Sequence, residues 1–249
     1  MVHEHETTLA GAAGPAETVV FRHDDGARPG VLMYTDIGGI RASQKRMARS
    51  LAEAGYTVVM PNVFYRTRAL PIFDFELKFG EERTTKRLAE LRAPLDAEAI
   101  DADARAWCAG VAGLEGVEPG PIGVVGYCFT GAYALRTAAA RPDRVAAAAS
   151  FHGGRLVTDG DDSPHRALPR VTARLYFGHA ENDSSMPAAD ISTLDAALAD
   201  WGGEFTSVVY EGARHGWTVP DAPSYREDAA RSAFAALTGL FGGAALGAR

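Results

Sequence analysis

The run PIGVVGYCFTGAYAL, Pro121 to Leu135, places Cys128 at the break between a small apolar stretch, Ile122 to Val125, and an alanine-rich helical pattern. Strand, sharp turn, nucleophile and helix, in that order, make a nucleophile elbow, which holds a reactive side chain exposed at the top of a sheet. A cysteine there gains twice from the helix N-terminus: the dipole favours a thiolate, and the free N–H groups of the first turn can hold an oxyanion. Gly126 and Gly131 flank it and let the backbone turn tightly. The plainer reading of any cysteine is a small buried apolar residue. Position and flanking glycines favour the nucleophile for Cys128, whereas Cys108, inside the helical-looking DADARAWCAGVAG, reads as packing.

A nucleophilic thiol needs a base, and the base needs an orienting carboxylate. In this layout both follow the nucleophile, acid first and histidine second, each just after a strand. After RLYFG comes HAENDSSMP, which offers Asp183, with Glu181 as the less favoured choice; after TSVVYEGARH comes His215, followed by Gly216. His179 also follows a strand but falls where the carboxylate loop begins, so it is a minor contender for the base. His152, in SFHGG, is expected to line the pocket, with a hydrogen-bonded structural histidine as the alternative.

These residues need a scaffold, and the chain alternates strand-like and helix-like segments in the manner of a mainly parallel sheet with helices on both faces. Extended apolar runs occur at 30–35, 56–61, 122–127, 144–151, 173–178 and 205–210. Between them, Ser43 is expected to cap a helix with Met47, Leu51 and Ala54 inward and Gly55 as its stop. Pro187 opens another, with Ile191, Leu194, Leu198 and Trp201 inward and Gly202 ending it. Tyr225, Ala229, Phe234, Leu237 and Phe241 mark a last helix. Two excursions exceed ordinary connections: residues 64–96, dense in charge, and residues 153–171. Segments that follow a strand's carboxyl end in such sheets tend to wall the site. The chain reads as one α/β domain over 1–249, with a flexible N-terminus to about residue 16 and a loose tail from about 242.

Composition narrows the function classes. Hydrophobic residues at 47% with 23% charged suffice for a large core without disulfides or metals. A net charge of -7 argues against a nucleic-acid surface. The N-terminus is polar and acidic rather than basic then apolar, and no run approaches the ~18 apolar residues of a membrane span, so a cytoplasmic location is expected. Two cysteines are too few for a secreted disulfide framework. There is no P-loop, no dinucleotide fingerprint and no metal-ligand spacing, and therefore no expected cofactor or metal.

Gly126-Tyr127-Cys128, Asp183 in HAENDSSMP and GARHGW around His215 together resemble the dienelactone hydrolase family of the α/β-hydrolase fold, over nearly the whole chain. The resemblance implies Cys128, Asp183 and His215 as the triad and the backbone N–H groups of Phe129 and Ile37 as the oxyanion hole. It also implies a carboxylate after the first central strand that contacts the thiol, usually glutamate and here Asp36. Such a carboxylate opposes a thiolate and can accept its proton; the alternative is that Asp36 only caps the turn at Gly38 and Gly39. Two departures stand out. Thr130 fills the first of two glycine positions after the cysteine, and Trp217, Thr218 and Val219 stand where carboxylate-binding members carry an arginine. Arg83 and Arg87 are candidates for the other anion-binding arginine, and Tyr127, His152 and Trp217 for the rest of the substrate pocket.

The expected chemistry is hydrolysis of an ester or lactone through a cysteine acyl-enzyme, on a small-molecule substrate, by a monomer or weak homodimer. The competing readings are a lyase, isomerase or cyclase step in secondary metabolism at the same site, and a non-catalytic ligand-binding protein on a hydrolase scaffold.

Overall fold

The computed structural model describes residues 1–244 and 246. The chain opens on a hairpin, β1 (Val2–Gly11) and β2 (Gly14–His23), followed by β3 (Gly30–Tyr34), α1 (Ala42–Glu53), β4 (Thr57–Pro61), α2 (Glu82–Arg92) and α3 (Ala97–Val111). Then come β5 (Ile122–Tyr127), α4 (Gly131–Ala140), β6 (Val145–Phe151), β7 (Arg174–Asn182), α5 (Ala188–Trp201), β8 (Phe205–Arg214) and α6 (Glu227–Gly243). The eight strands form one sheet in the order β1-β2-β4-β3-β5-β6-β7-β8. The hairpin and the β2–β4 pairing are antiparallel, and every other pairing is parallel. This is the mainly parallel sheet between helices that the alternation of apolar runs implies, and the α/β-hydrolase fold that the resemblance implies.

Strands β3, β4 and β5 are buried at every residue, as parallel strands covered on both faces must be. Alternate side chains serve opposite cores. Leu32 and Val124 pack with Leu135, Leu175 and Leu194 on the side of α3, α4 and α5. Val31, Met33 and Val125 pack with Leu51, Leu237 and Phe241 on the side of α1 and α6. The carboxyl ends of β3, β5, β7 and β8 point the same way, so the loops that leave them meet at one edge of the molecule.

Both chain ends differ from the sequence reading. Residues expected to be flexible up to about 16 form β1 and the start of β2, paired from Val2↔His23 to Gly11↔Gly14. An edge strand buries little, and of β1 only Leu9 is fully enclosed, so no apolar period announced it. Of the tail expected from 242 onward, Gly242 and Gly243 belong to α6, while Ala244 and Leu246 are buried in the core; residues 245 and 247–249 lie outside the described residues.

Helix α5 has its expected face, Ile191, Leu194 and Leu198, and ends at Gly202 in a left-handed conformation, φ 72°. Helix α1 starts one residue before Ser43, which is buried inside it instead of capping it, and Ala54 is exposed. On α6 the inward face is Ala229, Ala233, Leu237 and Phe241, an unbroken i, i+4 row, while Phe234 turns outward. Among the described residues, no helix is long and apolar enough to cross a membrane.

Candidate active site

The break after β5 is an elbow. A short 3-10 turn, Cys128–Thr130, joins Tyr127 to α4, and Cys128 takes a left-handed backbone conformation, φ 61°. A non-glycine residue is held there only where its surroundings fix it. Glycine is required on both sides: a Cβ at Gly126 would fall on the Thr130 carbonyl, and one at Gly131 would fall on Ser150 Oγ and the Gly153 backbone.

The three residues expected to act together are brought together. His215 Nε2 lies 3.0 Å from Cys128 Sγ, and His215 Nδ1 donates to Asp183 Oδ2 at 2.6 Å. The base follows β8 and the acid follows β7, as the order of the motif requires. Glu181, the other acidic candidate, instead accepts the Gly212 N–H at 2.8 Å and pins β8 to β7. His179 is buried within the sheet, away from the sulfur, with neither ring nitrogen partnered among the described residues.

Two serines with no motif of their own complete the support. Ser185 donates to Asp183 Oδ1 from its hydroxyl at 2.6 Å and from its backbone at 2.8 Å, the local turn an Asp-x-Ser sequence favours. Ser224 Oγ donates to the His215 carbonyl at 2.6 Å. Burial pushes the Asp183 pKa up, but the hydrogen bonds from His215 and Ser185 outweigh it and the carboxyl stays below its usual range. Burial opposes the imidazolium of His215, yet the bonds to Asp183 and Cys128 prevail and raise its pKa to about 10.

Phe129 follows the nucleophile and Ile37 follows β3 by three residues; both are half-buried, and neither N–H donates to a backbone carbonyl outside the helices and strands among the described residues. Phe129 is fixed by stacking on Phe64, centroids 5.5 Å apart, and by an edge contact with Tyr133 at 5.3 Å. A cleft of about 380 Å³ opens at Phe129, lined by Leu95, Ile100 and Tyr133 and by the charged residues Arg92, Asp96, Arg136, Arg155 and Asp162. A larger cavity of about 430 Å³ lies between α1 and α6, and no triad residue lines either space; the smaller cleft is joined to the nucleophile through its neighbour Phe129.

Several expected contacts are absent. Asp36 does not reach the thiol: its carboxylate accepts the Gly38 N–H at 2.9 Å and both Nη groups of Arg41, at 2.5 and 2.8 Å. Arg41 also grips Asp221 through Nε and Nη2, at 2.8 and 2.9 Å. Asp36 is thus the turn cap weighed as its alternative role, and a strut between the loops after β3 and β8. No lone residue type signals such a three-residue clamp, since Asp221 is 180 residues from Arg41.

His152 is 1% exposed and Trp217 0%, so neither lines an open pocket; Tyr127, also buried, faces the α1–α6 cavity. Arg83 and Arg87 lie on α2 around Asp74, at 3.4 and 3.7 Å, with Arg83 stacked on Phe75 at 3.9 Å and Arg87 donating to the Ile72 carbonyl. Their charge is answered locally. Arg92 and Arg155 make no ion pair among the described residues, and Arg155 has a left-handed φ of 55° while its N–H donates to the Ser185 carbonyl at 2.9 Å. Nothing in the local sequence separates Arg155 from other loop arginines.

A profile described as the dienelactone hydrolase family matches residues 16–245. A carboxymethylenebutenolidase of Rhodococcus opacus is 28% identical over 209 residues, 81% of this chain and 76% of its own length. A Synechocystis protein with the provisional name carboxymethylenebutenolidase is 26% identical over 219 residues, 87% of this chain and 86% of its own. Among solved structures, a Klebsiella pneumoniae protein provisionally named a dienelactone hydrolase superposes with a TM-score of 0.85 at 20% identity, covering 98% of this chain and 99% of its own. A promiscuous phosphotriesterase resembling dienelactone hydrolases, from metagenomic libraries, reaches 0.78 at 18% identity, covering 97% and 98%.

Proposed function

From the premise that the chain belongs to the dienelactone hydrolase family and is a hydrolase of that kind, we propose that it opens an ester or lactone bond through an acyl-enzyme on Cys128. The carrying observation is the line of contacts Sγ to Nε2 at 3.0 Å and Nδ1 to carboxylate at 2.6 Å, behind a nucleophile held on a left-handed turn. His215 takes the thiol proton as the sulfur attacks the carbonyl carbon. The Phe129 and Ile37 amides receive the oxyanion, donors whose loss individually costs about 100-fold or more in comparable sites. As the C–O bond breaks, His215 gives its proton to the departing oxygen and a thioester remains. His215 then takes a proton from water, the hydroxide adds to the thioester, and the collapse returns the acid and the thiol. Asp183 holds the ring in the tautomer both steps need.

The substrate is a small molecule whose acyl part enters the cleft beside Phe129, along its Leu95, Ile100 and Tyr133 side. Arg83 and Arg87 are drawn toward Asp74, and the segment after His215 offers a buried Trp217 instead of an arginine. These features take Arg83 and Arg87 out of carboxylate binding and favour an uncharged ester or lactone, while Arg92 and Arg155 at the Phe129 cleft are the cations a carboxylated lactone would need. The test compares initial rates on a carboxylated dienelactone, an uncharged lactone and an aryl ester, for the parent and Cys128→Ala. Turnover of the uncharged compounds that vanishes in the variant is expected; full activity without the cysteine overturns the mechanism, and preference for the carboxylated lactone overturns the substrate class.

A further inference from the structure

At the centre of the site lies a buried titratable side chain that the chemistry above leaves unused. His152 follows β6 with a left-handed φ of 41°, and its own N–H donates to the Gly178 carbonyl at 2.7 Å. Its ring has two partners. The Cys128 backbone N–H donates to Nδ1 at 3.0 Å, and Nε2 lies 2.8 Å from Thr218 Oγ1. A backbone amide can only donate, so Nδ1 must present its lone pair. The single ring proton then sits on Nε2 and is given to the Thr218 hydroxyl oxygen.

We propose that Thr218 and His152 form a tautomer lock on the nucleophile: Thr218 keeps the proton on Nε2, which leaves Nδ1 to anchor the Cys128 amide and so aims Sγ at His215. The lock rests on the reading of Cys128 as the nucleophile. Cys128 occupies a conformation that a non-glycine residue adopts only under constraint, and this bond is a constraint on its own amide. The ring is hemmed in by neighbours, with the His215 ring edge-on at 5.2 Å, Trp217 at 5.5 Å and Tyr127 at 6.1 Å. Burial first, and the charge of His215 second, keep His152 neutral well below the ordinary imidazole range, against the weaker pull of Asp183. A neutral ring also avoids a second cation beside the catalytic imidazolium. His152 and Thr218 are positioning residues: neither faces the cleft where substrate would sit.

Thr218→Val keeps the side-chain shape and removes the acceptor. The Nε2 proton is then left without a partner in a buried position, or it moves to Nδ1 and confronts the Cys128 N–H. Either outcome loosens the elbow, and a nucleophile misplaced by about 1 Å loses on the order of 100-fold in rate. The experiment measures p-nitrophenyl acetate hydrolysis by the parent, Thr218→Val, Thr218→Ser and Cys128→Ala, and the rate at which iodoacetamide alkylates Cys128 in the first three. Expected are a kcat lower by roughly 10- to 100-fold with KM unchanged and slower alkylation in Thr218→Val, and recovery of both in Thr218→Ser. A folded Thr218→Val with parental kcat and parental alkylation overturns the lock. Hydrolysis that survives in Cys128→Ala removes the nucleophile reading alone, and the alkylation comparison then decides the lock by itself. Should Thr218→Val fail to fold, the imidazole 15N spectrum of the parent decides it: protonated Nε2 with bare Nδ1 at neutral pH supports it, and protonated Nδ1 overturns it.

Discussion

Thr130→Val should destabilise the protein by about 2 kcal/mol, because a family glycine position has been converted here into a hydrogen-bonding hub. Thr130 is fully buried, and its hydroxyl receives the Tyr127 N–H at 3.0 Å while donating to the Thr35 carbonyl at 2.9 Å. Valine matches the shape and supplies neither function. The buried Tyr127 amide loses its acceptor, a penalty of about 1–3 kcal/mol, and the bond to Thr35 is worth about 1 kcal/mol more at most. For a domain of this size each kcal/mol lowers the melting temperature by about 2–4 °C, so a fall of about 4–8 °C follows, read by calorimetry. Thr130→Ser should restore most of it. Activity should drop as well, since Thr35 leads directly into Ile37, whose amide the proposed oxyanion hole requires. If Thr130→Val melts with the parent, the hydroxyl is not holding the elbow to β3 and the explanation of this departure is wrong.

Arg41→Gln should cost about 1–3 kcal/mol in urea unfolding, between the values for exposed and fully buried pairs, because Asp36 and Asp221 lose their shared cation; an unchanged midpoint would show the strut to be idle. The proton on His215 links stability to pH: its pKa rises from 6.5 to about 10 on folding, so the contribution is complete below about pH 6.5 and disappears as pH climbs through about 10. The parent should therefore lose stability between pH 7 and 10 relative to His215→Asn, and parallel curves would contradict the assigned proton.

What the sequence made legible was whatever depends on near neighbours in the chain. The elbow shows as a buried run, a glycine and a cysteine before an alanine-rich helix, and the acid and base show as polar residues just past apolar strands. Strand β1 did not show, because an edge strand buries one residue in ten and its pairing, not its pattern, holds it in place, whereas the buried run Thr18–Phe21 of β2 is a legible signal that the sequence reading misses. The Asp36–Arg41–Asp221 strut and the role of His152 depend on partners brought together from β6, β8 and the loop after β3, and no single segment carries their signal. Family likeness misled at Asp36 for a related reason, as it did at Arg83, Arg87 and Trp217. It carried over a carboxylate by position, but the shorter aspartate faces an arginine that claims it.

Cys128 leaves the sheet from β5, flanked by β3 and β6 near its middle, whereas Asp183 and His215 leave from β7 and β8, the last two strands at one margin. β8 is hydrogen-bonded on one side only and turns Val208 and Val209 toward solvent. Local opening starts where structure has fewest neighbours. Opening of β8 alone should withdraw His215 from Cys128 while β7 and the central strands stay paired, so activity is expected to fall at a lower urea concentration than far-UV circular dichroism, and coincident transitions would contradict this.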